Sequence, residues 1–222
     1  MRTPPRPLRA VLFDWDGTIV DSAEASFRCY VRLFESYRIP FDRDRFQSTY
    51  SPDWYRTYAA LGLPKECWDE ADERWLGFYA GEENVMLGGA REALGRLQRA
   101  GMALGIVTSG SRPRVARELE GLGLRGLFGV VVSAEDVEKR KPDPEPLVRG
   151  LERLGVPAAE AAYVGDSPED VQMARAAGVY VVGVPGPFPN REELKASAPD
   201  LVCDSLASAV AALVVIEQGG TA

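Results

Sequence analysis

The sequence predicts an α/β protein built on an open parallel sheet, with a helical insertion after the first strand. Three observations lead to this prediction. Short apolar runs recur along the chain between turn residues, helix-like segments separate them, and one long interval near the N-terminus has helical patterning alone. Alternation of strands and helices is typical of an open α/β sheet.

The apolar runs have the length and composition of buried strands. Each is almost continuously hydrophobic, as expected of a strand that is covered on both faces in a parallel sheet. The predicted strands are residues 8–13, 102–107, 128–132, 161–164, 179–184 and 201–203. The segments between them are amphipathic, and the predicted helices are residues 89–100, 112–120, 144–154, 168–177 and 206–216.

The interval of residues 22–86 interrupts this alternation of strands and helices, because it contains helical patterns and no convincing strand. About half of the aromatic residues of the chain lie between Phe41 and Tyr79. Most of them are expected to fill the core of a small helical unit. One or two aromatic side chains near residues 54–58 are candidates to face a ligand.

Charge and composition exclude several classes of protein. The formal net charge of -7 argues against a duplex nucleic acid partner, because such proteins need a basic face. No apolar stretch approaches the ~20 residues of a membrane-spanning helix. The three cysteines lie far apart without a C-x-x-C pair, so neither a disulfide framework nor a zinc site is indicated. The expected location is therefore a reducing cytoplasm.

The chain contains no histidine. Its absence excludes Ser-His-Asp and Cys-His hydrolases, histidine phosphatases and zinc enzymes with histidine ligands. Acid–base chemistry near neutral pH would therefore depend on carboxylates or on lysine.

Two carboxylates follow the first predicted strand, in the segment FDWDGT. Residues i and i+2 of an extended segment point the same way, so Asp14 and Asp16 should share one face at the strand's C-terminal end. Open α/β sheets bind ligands at that edge, and Gly17 permits a tight turn there. Neighbouring carboxylates repel unless a cation or a shared proton compensates, which indicates a metal or acid–base site. A polar turn that leaves a strand is the alternative interpretation.

A third acid stands at another strand end, in the segment GDSPED. Ser167 has the position of a helix N-cap, and Asp170 has the position of a capping-box acid, so capping alone could explain Asp170. Capping does not explain Asp166, which lies at the strand tip itself. A Mg²⁺ ion takes few protein carboxylates, and Asp14 with Asp166 would meet that demand.

Two further segments offer groups that bind anions. Thr108 and Ser109 close the second strand ahead of a helix, where a hydroxyl and free backbone N–H groups can hold an anion. Lys141 precedes a proline and a helix start, and it is the lysine of the KRKPDP segment that we expect to face a phosphate. Taken alone, both segments are also compatible with an ordinary turn or a solvated basic loop.

These four segments, in their order along the chain, resemble those of the haloacid dehalogenase-like superfamily. The resemblance covers nearly the whole chain, and within the superfamily the layout is most similar to phosphoglycolate-phosphatase-like and β-phosphoglucomutase-like members. It implies a Rossmann-like core, residues 1–19 and 88–222, with an inserted α-helical cap, residues 20–87. Trp15 departs from the commoner Leu or Met of that position. We expect the chemistry to be unaffected, because the backbone amide of this residue, and not its side chain, would take part in it.

The resemblance also implies a function, namely a Mg²⁺-dependent phosphatase that hydrolyses a small phosphate monoester. Asp14 would attack phosphorus and form an aspartyl phosphate, and Asp16 would protonate the leaving oxygen and later deprotonate water. Thr108, the Ser109 amide and Lys141 would bind the phosphoryl oxygens and stabilise the transition state.

The same resemblance implies the metal site. Mg²⁺ would be held by Asp14, Asp166 and the backbone carbonyl of Asp16, with Asp170 supporting from nearby. Together with Lys141, the cation would let an acidic protein handle an anionic substrate.

Several alternatives stay open at this stage. A β-phosphoglucomutase-like phosphotransferase, an inorganic pyrophosphatase and a non-catalytic ligand-binding relative share the core residues. Specificity should be set by the cap, where Arg56, Lys65 and a nearby tyrosine are the candidates to contact the leaving group. The sequence does not choose between phosphoglycolate and a sugar phosphate, and it gives no indication of the oligomeric state.

Overall fold

The computed structural model describes residues 4–217, and a six-stranded parallel sheet lies at its centre. In chain order the strands are β1 (Ala10–Phe13), β2 (Val20–Asp21), β3 (Val85–Met86), β4 (Ala103–Val107), β5 (Val130–Val132), β6 (Ala161–Gly165), β7 (Tyr180–Gly183) and β8 (Leu201–Val202). The α-helices are α1 (Ala23–Ser36), α2 (Arg43–Thr49), α3 (Trp54–Ala60), α4 (Trp68–Tyr79), α5 (Ala90–Arg99), α6 (Arg112–Gly121), α7 (Glu145–Leu154), α8 (Pro168–Ala176), α9 (Arg191–Ala196) and α10 (Leu206–Glu217). The predicted α/β fold class is thereby confirmed.

The strand order is β5-β4-β1-β6-β7-β8, and every pair in this sheet is parallel. The chain builds one side of the sheet from β1 through β4 to β5, then crosses back and builds the other side from β6. Phe13 at the end of β1 is in register with Ile106 of β4 and Val164 of β6. The residues that follow these strands therefore emerge together at one edge, at the point where the strand order reverses.

Both faces of the sheet are covered, which explains the continuous apolar runs. Val11 and Phe13 belong to the hydrophobic cluster that α5 and α10 complete, whereas Leu12 belongs to a second cluster that α7 and α8 complete. Successive residues of a strand point to opposite faces, so a strand between two helical layers needs apolar residues throughout.

The helical insertion consists of α1 to α4 and has its own aromatic cluster, which includes Phe34, Phe46 and Tyr58. It lies between β2 and β3, which pair antiparallel as a two-residue ribbon. The expectation that residues 22–86 contain no strand is therefore wrong at β3. Two residues carry no periodicity that a sequence pattern could reveal.

The division into a core and a cap domain remains a prediction, and residues 1–3 and 218–222 of the predicted core lie outside the described part of the chain. The short helix α9 was also absent from the predicted elements. Within residues 4–217, no helix has both the length and the apolar character that are needed to cross a bilayer.

Candidate active site

The nucleophile candidate Asp14 lies directly after β1, and its backbone N–H donates to the carbonyl of Val164 on β6 at 2.9 Å. Its side chain is buried at the sheet edge, where 7% of the residue is exposed. The chain then turns at Gly17, which has a φ of +81°. A Cβ at this position would lie 2.2 Å from Oδ2 of Asp166, so glycine is required both by the turn and by the close approach of a carboxylate.

Lys141 is the centre of a buried hydrogen-bond network. Its Nζ donates to Oδ1 of Asp14 at 2.6 Å, to Oδ1 of Asp170 at 2.7 Å and to the hydroxyl of Tyr163 at 2.8 Å. Only 6% of the Lys141 side chain is exposed. The neighbouring Lys139 and Arg140 are exposed, so the structure separates Lys141 from the rest of the basic segment.

Three carboxylates meet at this sheet edge. Asp14, Asp166 and Asp170 each offer an oxygen that lies within 4.8 Å of the others. Asp166 accepts from the Thr18 hydroxyl through Oδ1 at 3.4 Å, while its buried Oδ2 has no hydrogen-bond partner among the described residues. A buried carboxylate oxygen without a donor is costly unless a cation faces it, so this donor set fits a hard divalent metal ion.

Asp170 differs from the other two acids, because protein donors occupy both of its oxygens. Oδ1 accepts from Lys141 and from Tyr163, at 2.7 and 3.0 Å. Oδ2 accepts from the backbone N–H and the hydroxyl of Ser167, at 3.1 and 2.8 Å, while the Asp170 N–H donates to the Ser167 hydroxyl. The capping box predicted from Ser167 is therefore present at the start of α8, and it also orients Lys141.

The groups proposed to hold an anion lie at the ends of neighbouring strands. Thr108 follows β4 and is buried, with its hydroxyl accepting from the N–H of Gly110 at 3.0 Å. Ser109 lies beside it, and both residues line the same cavity as Asp14 and Lys141. All of the predicted site residues therefore converge on one edge of the sheet.

A buried ion-pair network around Asp16 was not found by sequence reasoning. Arg114 of α6 clamps the Asp16 carboxylate with both terminal nitrogens, at 2.9 Å to Oδ1 and 2.5 Å to Oδ2. The guanidinium also lies 3.3 Å from Glu118 and 5.0 Å from the centre of the Tyr79 ring. Glu118 in turn accepts from the Trp15 indole N–H at 2.5 Å. Trp15, which departs from the commoner residue of the resembling family, therefore holds Glu118 in this network by a hydrogen bond.

Burial acts to raise the pKa of each of these acids, and nearby charges add to this effect or oppose it. Burial raises the pKa of Asp14 to about 7 in spite of the attraction of Lys141, and burial with the negative charge of Asp14 raises the pKa of Asp166 well above its ordinary value. Burial also acts to raise the pKa of Asp16, but the charge and hydrogen bonds of Arg114 outweigh it and lower that pKa. Asp16 is therefore held as a carboxylate, while Asp14 and Asp166 need a compensating cation to be ionised together.

A cavity of about 320 Å³ connects this edge with the helical insertion. On the insertion side its lining is largely aromatic and consists of Tyr30, Tyr50, Trp54, Tyr58, Trp75 and the carboxylate of Asp72, together with small polar and apolar residues. The insertion therefore covers this edge of the sheet and encloses the space beside Asp14 and Lys141.

Comparison with known proteins agrees with this geometry. The family model described as haloacid dehalogenase-like hydrolase matches residues 11–184. A phosphoglycolate phosphatase of Salmonella typhimurium is 32% identical, over 93% of this chain and 92% of its own length. A pyrophosphatase PpaX of Bacillus velezensis is 33% identical, over 89% of this chain and 92% of its own length. The crystal structure of a putative phosphoglycolate phosphatase from Lactobacillus plantarum has a TM-score of 0.85 and 25% identity, covering 92% of this chain and 98% of its own.

These relatives confirm the resemblance that the four segments indicated and the assignment of a phosphatase. The family match extends from within β1 to just beyond β7 and so includes every predicted site residue, from Asp14 to Asp170. The chain therefore belongs to the haloacid dehalogenase-like hydrolase family.

Proposed function

We propose that the protein is a Mg²⁺-dependent phosphatase of small phosphate monoesters, in which Asp14 is phosphorylated transiently. The observation that carries this proposal is the position of the Asp14 carboxylate. It lies 2.6 Å from Nζ of Lys141 and within 4.8 Å of oxygens of Asp166 and Asp170, at a sheet edge that opens into a cavity. One carboxylate between a fixed ammonium group and a cation site can meet a phosphoryl group at close range.

Mg²⁺ would be held by Asp14, Asp166 and the backbone carbonyl of Asp16. Oδ2 of Asp166, which has no hydrogen-bond partner within residues 4–217, supports this assignment. Asp170, predicted among the metal residues, has protein donors on both oxygens, so its proposed role is to orient Lys141. When bound, the ion supplies positive charge that offsets the repulsion between Asp14 and the phosphoryl oxygens.

The reaction would proceed in two steps. An oxygen of Asp14 bonds to phosphorus as the bond to the leaving oxygen breaks, and that leaving oxygen takes a proton from Asp16. Arg114 favours the carboxylate form of Asp16 in the free protein, so Asp16 would take up this proton as the negatively charged phosphoryl group binds beside it and raises its pKa. In the second step Asp16 takes a proton from water as the water oxygen bonds to phosphorus, which releases inorganic phosphate and restores the Asp14 carboxylate. Throughout, Thr108, the Ser109 amide and Lys141 would hold the phosphoryl oxygens.

Arg114 would position Asp16 between these proton transfers. We expect Arg114→Met to lower kcat by about 10–100-fold with a much smaller change in KM, because Asp16 loses the clamp that fixes its carboxylate. Steady-state kinetics on one alkyl phosphate measure both constants. Arg117→Met removes an exposed arginine of the same helix and serves as the matched control.

Loss of Arg114 also leaves the buried Glu118 without its cation, so a structural explanation needs its own control. The double variant Arg114→Met/Glu118→Gln removes that unpaired charge. It should recover thermal stability while kcat stays low. Recovery of kcat along with stability would show that Arg114 serves only the fold.

The proposal also covers the location and the partners. The cysteines at positions 29, 67 and 203 are free in the structure, which supports a reducing cytoplasm. A cavity of about 320 Å³ supports a small phosphorylated substrate, and the net charge of -7 speaks against nucleic acid.

Metal removal tests the proposed function. Phosphate release from a panel of phosphate esters should occur in Mg²⁺ buffer, fall by at least about 100-fold after chelation with EDTA, and return when Mg²⁺ is added in excess. Release that continues at the same rate after chelation would contradict the proposal. Metal binding without turnover of any ester would instead favour a non-catalytic relative.

A further inference from the structure

The part of the cavity that must receive the leaving group is walled by flat aromatic rings. Tyr50, Trp54 and Trp75 come from the insertion and are half-buried along its lining. Tyr50 stacks on Phe188 of the core, with ring centres 4.6 Å apart and an angle of 11° between the planes. The wall opposite the sheet edge therefore offers broad apolar surfaces, which attract an apolar or aromatic body.

The charge that the insertion contributes to this lining is negative. Asp72 is the charged side chain that it supplies among the described residues, and the hydroxyls of Tyr55 and Tyr58 fix its two oxygens at 2.9 and 3.1 Å. Arg56 and Lys65, the cations considered from the sequence, do not line the cavity among the described residues. A carboxylate at this place repels an anionic leaving group.

Both buried cations that line the cavity in the described part of the chain already face carboxylates. Lys141 is bonded to Asp14 and Asp170, and Arg114 is bonded to Asp16. Arg140 is exposed at the mouth, where its guanidinium carbon lies 4.5 Å from the centre of the Trp54 ring. Its charge stacks on the Trp54 ring and is exposed to water, which weakens its attraction for an anion.

We infer that the leaving group of the substrate is an aromatic body without negative charge. This inference rests on the proposed phosphatase function and names the substrate class for the same site. The buried indole N–H of Trp75, which has no partner among the described residues, offers a donor to such a body, and Asp72 offers an acceptor. A heteroaromatic ring that carries one hydrogen-bond acceptor and one donor would match the Trp75 N–H and the Asp72 carboxylate. Glycolate, pyrophosphate and a second sugar phosphate group would each bring an anion towards Asp72.

Three esters separate this inference from the proposed function. Benzyl phosphate and ethyl phosphate both release a primary alkoxide of similar basicity, so their rates differ mainly in recognition of the ring. Phosphoglycolate carries a carboxylate in place of the ring. With Mg²⁺ present, we expect kcat/KM for benzyl phosphate to exceed that for either other ester by at least about tenfold, as burial of one ring suggests.

Two variants test whether the aromatic ring of the leaving group is recognised at Trp54. Trp54→Leu should lower the ratio of kcat/KM for benzyl phosphate over ethyl phosphate by about fivefold or more. Trp68→Leu is the matched control, because Trp68 packs on Tyr55 at 4.8 Å and does not line the cavity. The ratio should stay at the wild-type value in that control. The wild-type comparison of the three esters decides the question even if a variant fails to fold.

The outcomes that overturn the inference are distinct. Equal or faster turnover of phosphoglycolate, lost in Arg140→Ala, would show that an anionic leaving group is recognised at the mouth. An unchanged benzyl-to-ethyl ratio in Trp54→Leu would show that the ring is not recognised there. Either result leaves the phosphatase chemistry intact, as would turnover of other esters of the panel alone, whereas no turnover of any ester would overturn the proposed function as well.

Discussion

Replacement of Asp14 by asparagine should lower kcat by at least about 10⁴-fold, because the amide has no anionic oxygen to attack phosphorus. The change is nearly isosteric, so the phosphoryl-binding groups Thr108 and Lys141 should keep their places. Phosphate release under single-turnover and steady-state conditions measures the loss. Activity of Asp14→Asn close to that of the wild type would end the proposed role.

Stability distinguishes loss of chemistry from loss of the fold in this variant. Asp14 lies close to Asp166 and Asp170, and burial raises its pKa to about 7. Removing one negative charge from this cluster should leave the Tm of the metal-free protein equal to or above that of the wild type, since Lys141 keeps its bonds to Asp170 and Tyr163. A surface control, Asp204→Asn, should alter neither kcat nor Tm.

The second large effect is expected for Asp16→Asn, with a size that depends on the leaving group. Without a proton donor, kcat for ethyl phosphate should fall by about 10³–10⁴-fold. The first step with 4-nitrophenyl phosphate should be affected far less, because nitrophenolate leaves without a proton. The burst of nitrophenolate and the later steady rate measure the two steps separately.

The same variant should also accumulate phosphorylated protein, since the second step loses the base that deprotonates water. A burst followed by slow turnover is therefore the expected time course with 4-nitrophenyl phosphate. An equal loss with both esters would contradict the acid role of Asp16, and it would indicate that Asp16 mainly shapes the site.

The convergence of the site could be predicted because parallel strands end at a common edge. Asp14, Thr108 and Asp166 each follow a buried apolar run, and neighbouring strands bring such residues together without knowledge of any side-chain contact. Lys141 lies outside this rule. It was identified only by its place before a proline and a helix start, in the segment that carries the family resemblance.

The clamp on Asp16 could not be predicted in this way. Asp16 and Arg114 are 98 residues apart, and an arginine within an amphipathic helix is ordinarily expected on the solvated face. Burial of Arg114 follows from the helical insertion, which places Tyr79 against α6. The combination of a tryptophan at position 15 with a glutamate and an arginine four residues apart on α6 was the available signal, and no local pattern connects them.

The aromatic lining of the cavity could be predicted from the sequence only in part. The aromatic content of the insertion indicated a core, which is correct for Phe34 and Tyr58. Which rings would face the cavity depends on how the insertion sits over the sheet edge. That arrangement follows from tertiary contacts such as the stacking of Tyr50 on Phe188, which lies 138 residues further along the chain.

Trapping the phosphorylated residue tests the central claim most directly. Rapid quenching of wild-type protein and of Asp16→Asn during turnover, followed by borohydride reduction and peptide mass spectrometry, identifies any acyl phosphate by its conversion to homoserine. The account predicts homoserine at position 14, with a higher yield in Asp16→Asn and none in Asp14→Asn. Turnover without any reduced residue, or with the reduced residue at another acid, would contradict it.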